Sequence, residues 1–153
     1  MKVGRVIFCT SAGGHFAEMM RLKSIIKKYN GVIITEKTKA SVSDFPTKYV
    51  PYSSRNEGFI YIFKYSFVCM LSLVYFLYYR PKVIISTGVH STLPFCVLGW
   101  IFRKKVIYIE TVAVVNQPTL TGKIMYKIAS DFYVQWEDLL NVYPEAIYGG
   151  VLF

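Results

Sequence analysis

The sequence predicts an α/β fold: a doubly wound, mostly parallel, Rossmann-like sheet with helices on its faces. Three observations carry that expectation. Apolar runs of strand length recur along the chain, with helix-like stretches between most of them. The run at 82–88, Lys-Val-Ile-Ile-Ser-Thr-Gly, is apolar through its middle, as a parallel strand covered on both faces is. A glycine turn, Gly13-Gly14, stands between the first strand-like and the first helix-like run. The 153 residues are expected to form one domain over 1–153, long enough to bury a real core.

The elements follow in order. Residues 3–8 read as the first strand. Over 17–28 the apolar residues Met19, Leu22, Ile25 and Ile26 share one side of a helix. Residues 31–36 read as a second strand, 37–45 as a polar, basic loop, and 48–52 as a third strand. Pro51 lacks an N–H and puts that strand near an edge or at its own end. Residues 59–79 form an apolar helix of about a membrane span, roughly 20 residues, with Lys64 as its charge and Arg80-Pro81-Lys82 as its stop. Three readings compete: a transmembrane helix, a helix half-sunk in the interface, or a helix buried in the layers of the fold. If the strand at 82–88 shares a sheet with the first two, both ends of this helix lie on one side of a bilayer. The preferred reading is a crossover helix with one face on the sheet and the other on lipid. Its expected membrane residues are Phe59, Phe63, Phe67, Leu71, Tyr75 and Tyr78, with Arg80 at the head groups.

Residues 91–102 form the next helix, with Pro94 tolerated in its first turn. It ends in Trp100 and the cations Arg103, Lys104 and Lys105, read as interfacial or as charges favoured at a helix C-terminus. A strand at 106–111 carries Glu110 at its C-terminal end. A short helix at 123–130, a strand at 131–136, a helical turn or two at 137–142 and a strand at 146–151 complete the chain. The basic groups at 27–28, 80–82 and 103–105 are expected on the sheet edge opposite the glycine turn.

Composition narrows the partners. A formal net charge of +9 with 54% apolar and 17% aromatic residues suits an anionic membrane surface better than nucleic acid. No RNP, zinc-finger or basic-helix signature supports a nucleic-acid partner. Cys9, Cys69 and Cys96 are scattered without a CxxC, as reduced core thiols are, so neither a disulfide frame nor a metal site is expected. No secretory leader is expected from the first residues. The glycine turn has neither the GxGxxG nor the P-loop spacing, which disfavours a resident nucleotide cofactor.

Three loops are expected to meet at the strands' C-terminal edge: residues 11–15, 86–92 and 110–111. They bring backbone N–H groups, hydroxyls, two histidines and the Glu110 carboxylate to one place, a set that suits sugar hydroxyls or a diphosphate. A histidine at His15 can serve as a general base; equally, the glycines can be only a tight turn and His15 only a packing residue. No carboxylate pair for glycoside hydrolysis and no GxSxG elbow is present.

In order and spacing, the Gly-Gly-His turn, the Ser-Thr-Gly loop and the strand ending in Glu-Thr resemble one family. It is that of the PssD/CpsF-type subunits of bacterial capsule and exopolysaccharide synthesis. These are similar to the membrane-anchoring, acceptor-side subunit of the dolichol-linked oligosaccharide N-acetylglucosaminyltransferase, and to the N-terminal half of MurG. The resemblance implies the N-terminal half of a GT-B glycosyltransferase, lying at the cytoplasmic face of the membrane. This half would hold a polyprenyl-diphosphate-linked sugar acceptor, and a separate donor-binding subunit would bring the UDP-sugar. On that resemblance His15 is the candidate base and Glu110 a candidate acid orienting it or the acceptor. Gly13, Gly14 and Gly88 match the glycine loops, with Thr87 and Thr92 as hydroxyl donors. His90 matches no residue with a role. Two other readings stand beside this one: a membrane adaptor without a catalytic contribution, and a lone small-molecule enzyme of Rossmann type.

Overall fold

A computed structural model describes residues 5–53, 56, 58–88 and 90–152. Positions 3 and 4 of the expected first strand lie outside these residues. The strands are β1 (Val6–Cys9), β2 (Val32–Glu36), β3 (Thr47–Val50), β4 (Val83–Ser86), β5 (Lys105–Ile109), β6 (Asp131–Val134) and β7 (Ile147–Tyr148). They form one sheet in the order β3-β2-β1-β4-β5-β6-β7, and every pair is parallel. The helices are α1 (Gly14–Arg21), α2 (Lys23–Lys28), α3 (Phe59–Tyr79), α4 (Leu93–Ile101) and α5 (Leu120–Ile128), and a 3₁₀ helix spans Glu137–Asn141. The strand order reverses between β1 and β4, the place where open α/β sheets form a crevice.

Side-chain alternation along the strands builds two cores. Ile7, Cys9, Ile34, Ile84, Val106 and Tyr108 point to the side of α3, α4 and α5, where Phe76, Phe95 and Met125 meet them. Phe8, Ile33 and Ile85 point to the side of α1 and α2, where Phe16, Met19 and Ile26 meet them. That second side is thinly covered toward the strands' N-terminal edge: Val6, Val83 and Ile107 line an open groove of about 490 Å³ with Lys28 and Lys105. Cys9 and Cys96 are free and buried, and burial pushes the Cys96 thiol up to about 12.

The structure redraws several boundaries. The helix expected over 17–28 starts at Gly14 and breaks at Leu22, whose N–H reaches back to Met19 in a tight turn. That turn lets Phe16, Met19, Leu22 and Ile26 all join one cluster under the sheet. The last strand pairs only at Ile147–Tyr148 and is followed by Gly150 at φ +72°, which takes the chain off the sheet. Strand β3 lies at the sheet edge, as Pro51 foretold.

Helix α3 joins edge strand β3 to central strand β4 and therefore belongs to the crossover. It is long and apolar enough to cross a membrane by length and composition, but both its ends feed the same sheet. The described residues of this chain do not bury it either. Only Val68, Ser72 and Phe76, four residues apart, are buried along its described length. Phe59, Phe63, Phe67 and Tyr78 are exposed, as is Trp100 of α4. Leu71 and Tyr75, expected on the outer face, instead flank the buried stripe and pack on the core; the Tyr75 hydroxyl donates to the Tyr49 carbonyl at 3.2 Å. Arg80 and Arg103 are exposed at the edge opposite the glycine turn. Lys105, expected to face lipid head groups, turns to Asp131 at the start of β6, 2.9 Å away.

Phe76 is the contact that seats α3, with its ring 5.6 Å from Phe95 and 5.2 Å from Phe102, centre to centre. Phe76→Ala is expected to cost about 3–5 kcal/mol of stability. Phe63→Ala, on the exposed side, is expected to change it by less than about 0.5 kcal/mol. Thermal unfolding of both variants in mild detergent measures the contrast, and equal losses would contradict a helix packed on one face.

Candidate functional site

The site begins with the turn after β1. Gly13 has φ +74°, a conformation that favours glycine, and it swings the chain directly into α1. Gly13 and Gly14 are exposed, with open space where their side chains would stand. A ligand can therefore approach the backbone there closely.

The loop after β4 is pressed against this turn. A Cβ on Gly88 would stand 2.8 Å from the Ser11 amide nitrogen and collide with the Thr92 methyl, so the position requires a bare Cα. Beside it, the Thr87 hydroxyl reaches the His15 carbonyl at 3.1 Å and the Thr10 hydroxyl at 3.2 Å. Thr92 shares a 3.1 Å hydrogen bond with Ser86. Thr87 and Thr92 are thus turned inward rather than toward a ligand, because both side chains sit buried between packed loops. Their hydroxyls lock the β4 loop and hold the first turn of α1.

Three almost fully buried carboxylates surround the turn: Glu18, Glu36 and Glu110. Glu36, at the end of β2, accepts the Ala12 N–H at 3.1 Å. Glu18, on α1, reaches across to the segment after β5. Its Oε1 accepts the Thr111 hydroxyl at 2.9 Å and the Val112 N–H at 2.8 Å. Burial pushes the Glu18 carboxyl up, but the neighbouring His15 and the hydrogen bonds from Val112 and Thr111 outweigh it and leave it below its ordinary value.

Glu110 faces the opposite way in charge terms. Burial raises its carboxyl, and the bonds from the Thr111 N–H at 3.0 Å and the Tyr108 hydroxyl at 3.4 Å only partly offset that. Its Oε2 lies against Gly122 in the first turn of α5, together with the Tyr143 hydroxyl, and neither atom has a hydrogen-bond partner. Burial and the Glu110 charge push the Tyr143 phenol up to about 12. Gln135 bonds the Glu110 carbonyl at 3.0 Å and accepts the Leu152 N–H at 2.9 Å, tying the chain's last described residues to the site.

His15 stands in the first turn of α1 with its side chain 22% exposed. The carboxylate within ion-pair reach is Glu18: Nδ1 and Oε2 are 3.7 Å apart. The sequence singled out Glu110 and not Glu18, the carboxylate that the fold places beside His15. The available signal was its position three residues after His15, on the same helical face. His90 bonds the Ser53 carbonyl at 2.9 Å through Nε2, and Tyr65 of α3 donates to the His90 carbonyl at 3.2 Å. Among the described residues, no group of three or more His, Cys, Asp or Glu side chains is arranged to hold a metal ion.

The arrangement offers an imidazole at the rim over a floor of buried carboxylates. Such a floor repels a phosphate but suits hydroxyl groups, one of which His15 could deprotonate.

The two carboxylates make opposite pH predictions. Glu110, with a raised folded-state value, contributes stability below the unfolded value of about 4.3, and this is lost as pH rises through the folded value. Glu18, with a lowered value, contributes stability above about 4.3 that is lost as pH falls through its folded value. With rising pH, Glu110→Gln should therefore gain on the wild type in Tm between about pH 4 and 7, and Glu18→Gln should lose on it mainly below about pH 5. The shifts should be a few degrees, at about 2–4 °C per kcal/mol. Matching slopes in calorimetry would contradict the assignment.

Comparison with known proteins agrees with the fold and names the family. MurG of Acinetobacter baumannii superposes with a TM-score of 0.65 at 14% identity, over 84% of this chain and 40% of that one. A UDP-GlcNAc 2-epimerase from Methanocaldococcus jannaschii superposes at 0.64 with 10% identity, over 89% of this chain and 40% of that one. This chain thus spans about two fifths of those solved chains, and its parallel α/β sheet is the fold of the N-terminal halves of GT-B glycosyltransferases. A Candida albicans protein named UDP-N-acetylglucosamine transferase subunit ALG14 is 32% identical over 92% of this chain and 74% of its own length. Residues 52–152 match the family described as oligosaccharide biosynthesis protein Alg14 like. On these matches, the chain belongs to the Alg14-like family of oligosaccharide biosynthesis proteins.

Proposed function

We propose that this chain is the acceptor-side subunit of a two-component, membrane-associated glycosyltransferase. It holds a polyprenyl-diphosphate-linked sugar acceptor at the cytoplasmic face of the membrane, and a separate subunit supplies the UDP-sugar. The synthesis of capsular or exopolysaccharide repeat units is the setting we assign to it. The Candida relative's name, a transferase subunit, supports a division of labour between chains.

One observation carries the reading. The exposed apolar side of α3, with Phe59 and Phe63 at its start, begins at the sheet edge that carries the β1 and β4 loops, and Tyr65 of the same helix bonds the His90 carbonyl in the loop that follows Gly88. A lipid-linked acceptor fits that path. Its lipid lies along α3, its diphosphate stays at the rim by Gly13 and Gly14, and its sugar hydroxyl enters at His15. His15 takes the hydroxyl proton as the new carbon–oxygen bond forms and UDP leaves with the bonding electron pair. Glu110, Thr87, Thr92 and Gly88 act behind this contact, by fixing the loops that carry it. Arg80, Arg103 and Lys104 meet anionic head groups at the far edge.

The test is sugar transfer from UDP-sugars to a lipid-linked acceptor in membranes, with this chain alone, the partner alone and both together. Strong transfer only with both is expected, and His15→Ala should lower the paired rate by about 10²–10⁴-fold. A partner fully active without this chain would overturn the proposal. An active pair that tolerates His15→Ala would leave an adaptor without a catalytic contribution.

A further inference from the structure

We infer that Glu18 is the positioning residue for His15: it fixes which ring nitrogen carries the proton, and so leaves Nε2 free to act. The inference rests on the reading of His15 as the base.

Geometry carries the assignment. Glu18 Oε2 and His15 Nδ1 are both buried, both without a hydrogen-bond partner, and 3.7 Å apart. That gap is longer than a hydrogen bond, and catalytic hydrogen bonds are often long until substrate binds. Nδ1 is buried, so the exposed edge of the ring is the far one, which carries Nε2. The carboxylate cannot swing away, because its other oxygen is held by the Thr111 hydroxyl and the Val112 N–H. Thr87 holds the His15 carbonyl and so fixes the backbone from which the ring projects.

An ionised carboxylate has only acceptor atoms. Facing Nδ1, it selects the tautomer with hydrogen on Nδ1 and the lone pair on Nε2. When Nε2 takes the acceptor proton, the imidazolium that results is stabilised by the same carboxylate. The proton moves from the acceptor hydroxyl to Nε2, the acceptor oxygen bonds the sugar carbon, and UDP on the partner leaves with the electrons. Among the described residues, Glu18 is the carboxylate within ion-pair reach of the ring, while the free oxygen of Glu110 lies against Gly122 beside the Tyr143 hydroxyl. Glu110 takes the Thr111 N–H and the Tyr108 hydroxyl, and Glu36 takes the Ala12 N–H.

Glu18→Gln separates positioning from folding. The amide oxygen can still accept from Thr111 and Val112, while its NH₂ replaces Oε2 and donates to Nδ1. The other tautomer, with hydrogen on Nε2, is then selected and the base is lost. The chain has two histidines, so ¹⁵N-histidine labelling of the full chain in lipid nanodiscs resolves His15 from His90. The wild type should show a protonated Nδ1 and Glu18→Gln a protonated Nε2. In the assembled pair, kcat should fall by about 10²–10⁴-fold with KM little changed. Thr111→Ala, which loosens the same carboxylate without removing it, should mix the tautomers. An unchanged tautomer in Glu18→Gln overturns the inference. So does a full kcat in Glu18→Gln where His15→Ala is inactive. A fully active His15→Ala pair overturns the base reading and the inference with it, whereas either preceding result leaves the base reading standing.

Discussion

A parallel sheet has to be covered on both faces, because its strands are apolar on both. In this chain that requirement falls heavily on α3, which covers one face while its own outer side is as apolar as its inner one. The inner side is a narrow stripe, Val68, Ser72 and Phe76, closed by the rings of Phe95 and Phe102. Leu71, Tyr75 and Tyr79 flank the stripe, while Phe59, Phe63, Phe67, Leu77 and Tyr78 face away from the protein. The helix is thereby fixed as a layer of the fold and simultaneously exposes apolar side chains from Phe59 to Tyr78.

The second constraint lies at the other end of the sheet. Carboxylates are costly to bury unless hydrogen-bonded. Glu18 and Glu36 meet that condition by tying segments distant in sequence, α1 to the residues after β5 and β2 to the glycine turn, and Glu110 meets it locally through Thr111 and Tyr108; Thr87 adds the β4 loop through the His15 carbonyl. The ties bring the loops of β1, β4 and β5 together and seat His15 at their rim. The price is electrostatic, since the floor so formed is negative. Such a floor favours a neutral hydroxyl over an anion, which is the ground for the proposed placing of an acceptor.

The sheet was legible in the sequence because its signals are local. Gly13-Gly14 after an apolar run, Pro51 at an edge and Pro94 in a first turn each act through their own backbone. The two-sided nature of α3 was legible through chain path, since both its neighbours had to enter one sheet. What the sequence hid was orientation. Leu71 and Tyr75 differ from Phe67 and Tyr78 only in angle around the helix, and composition carries no phase when both sides are apolar. Thr87 and Thr92 looked like ligand hydroxyls because hydroxyls that lock loops and hydroxyls that bind sugars are the same groups. Glu18 was hidden by its helix, where a glutamate ordinarily reads as a solvated surface residue, and only the fold shows it buried against Thr111.

The account stands on α3 having a protein side and a lipid side. Labelling of the full chain in anionic vesicles that contain a photoactivatable, diazirine-bearing lipid, followed by mass spectrometry, reads that directly. Carbene adducts on Phe59, Phe63, Phe67 and Leu77, and none on Val68, Ser72 or Phe76, are the predicted result. Adducts all round the helix, as on a span, or none along it, as on a helix covered by protein, would contradict it.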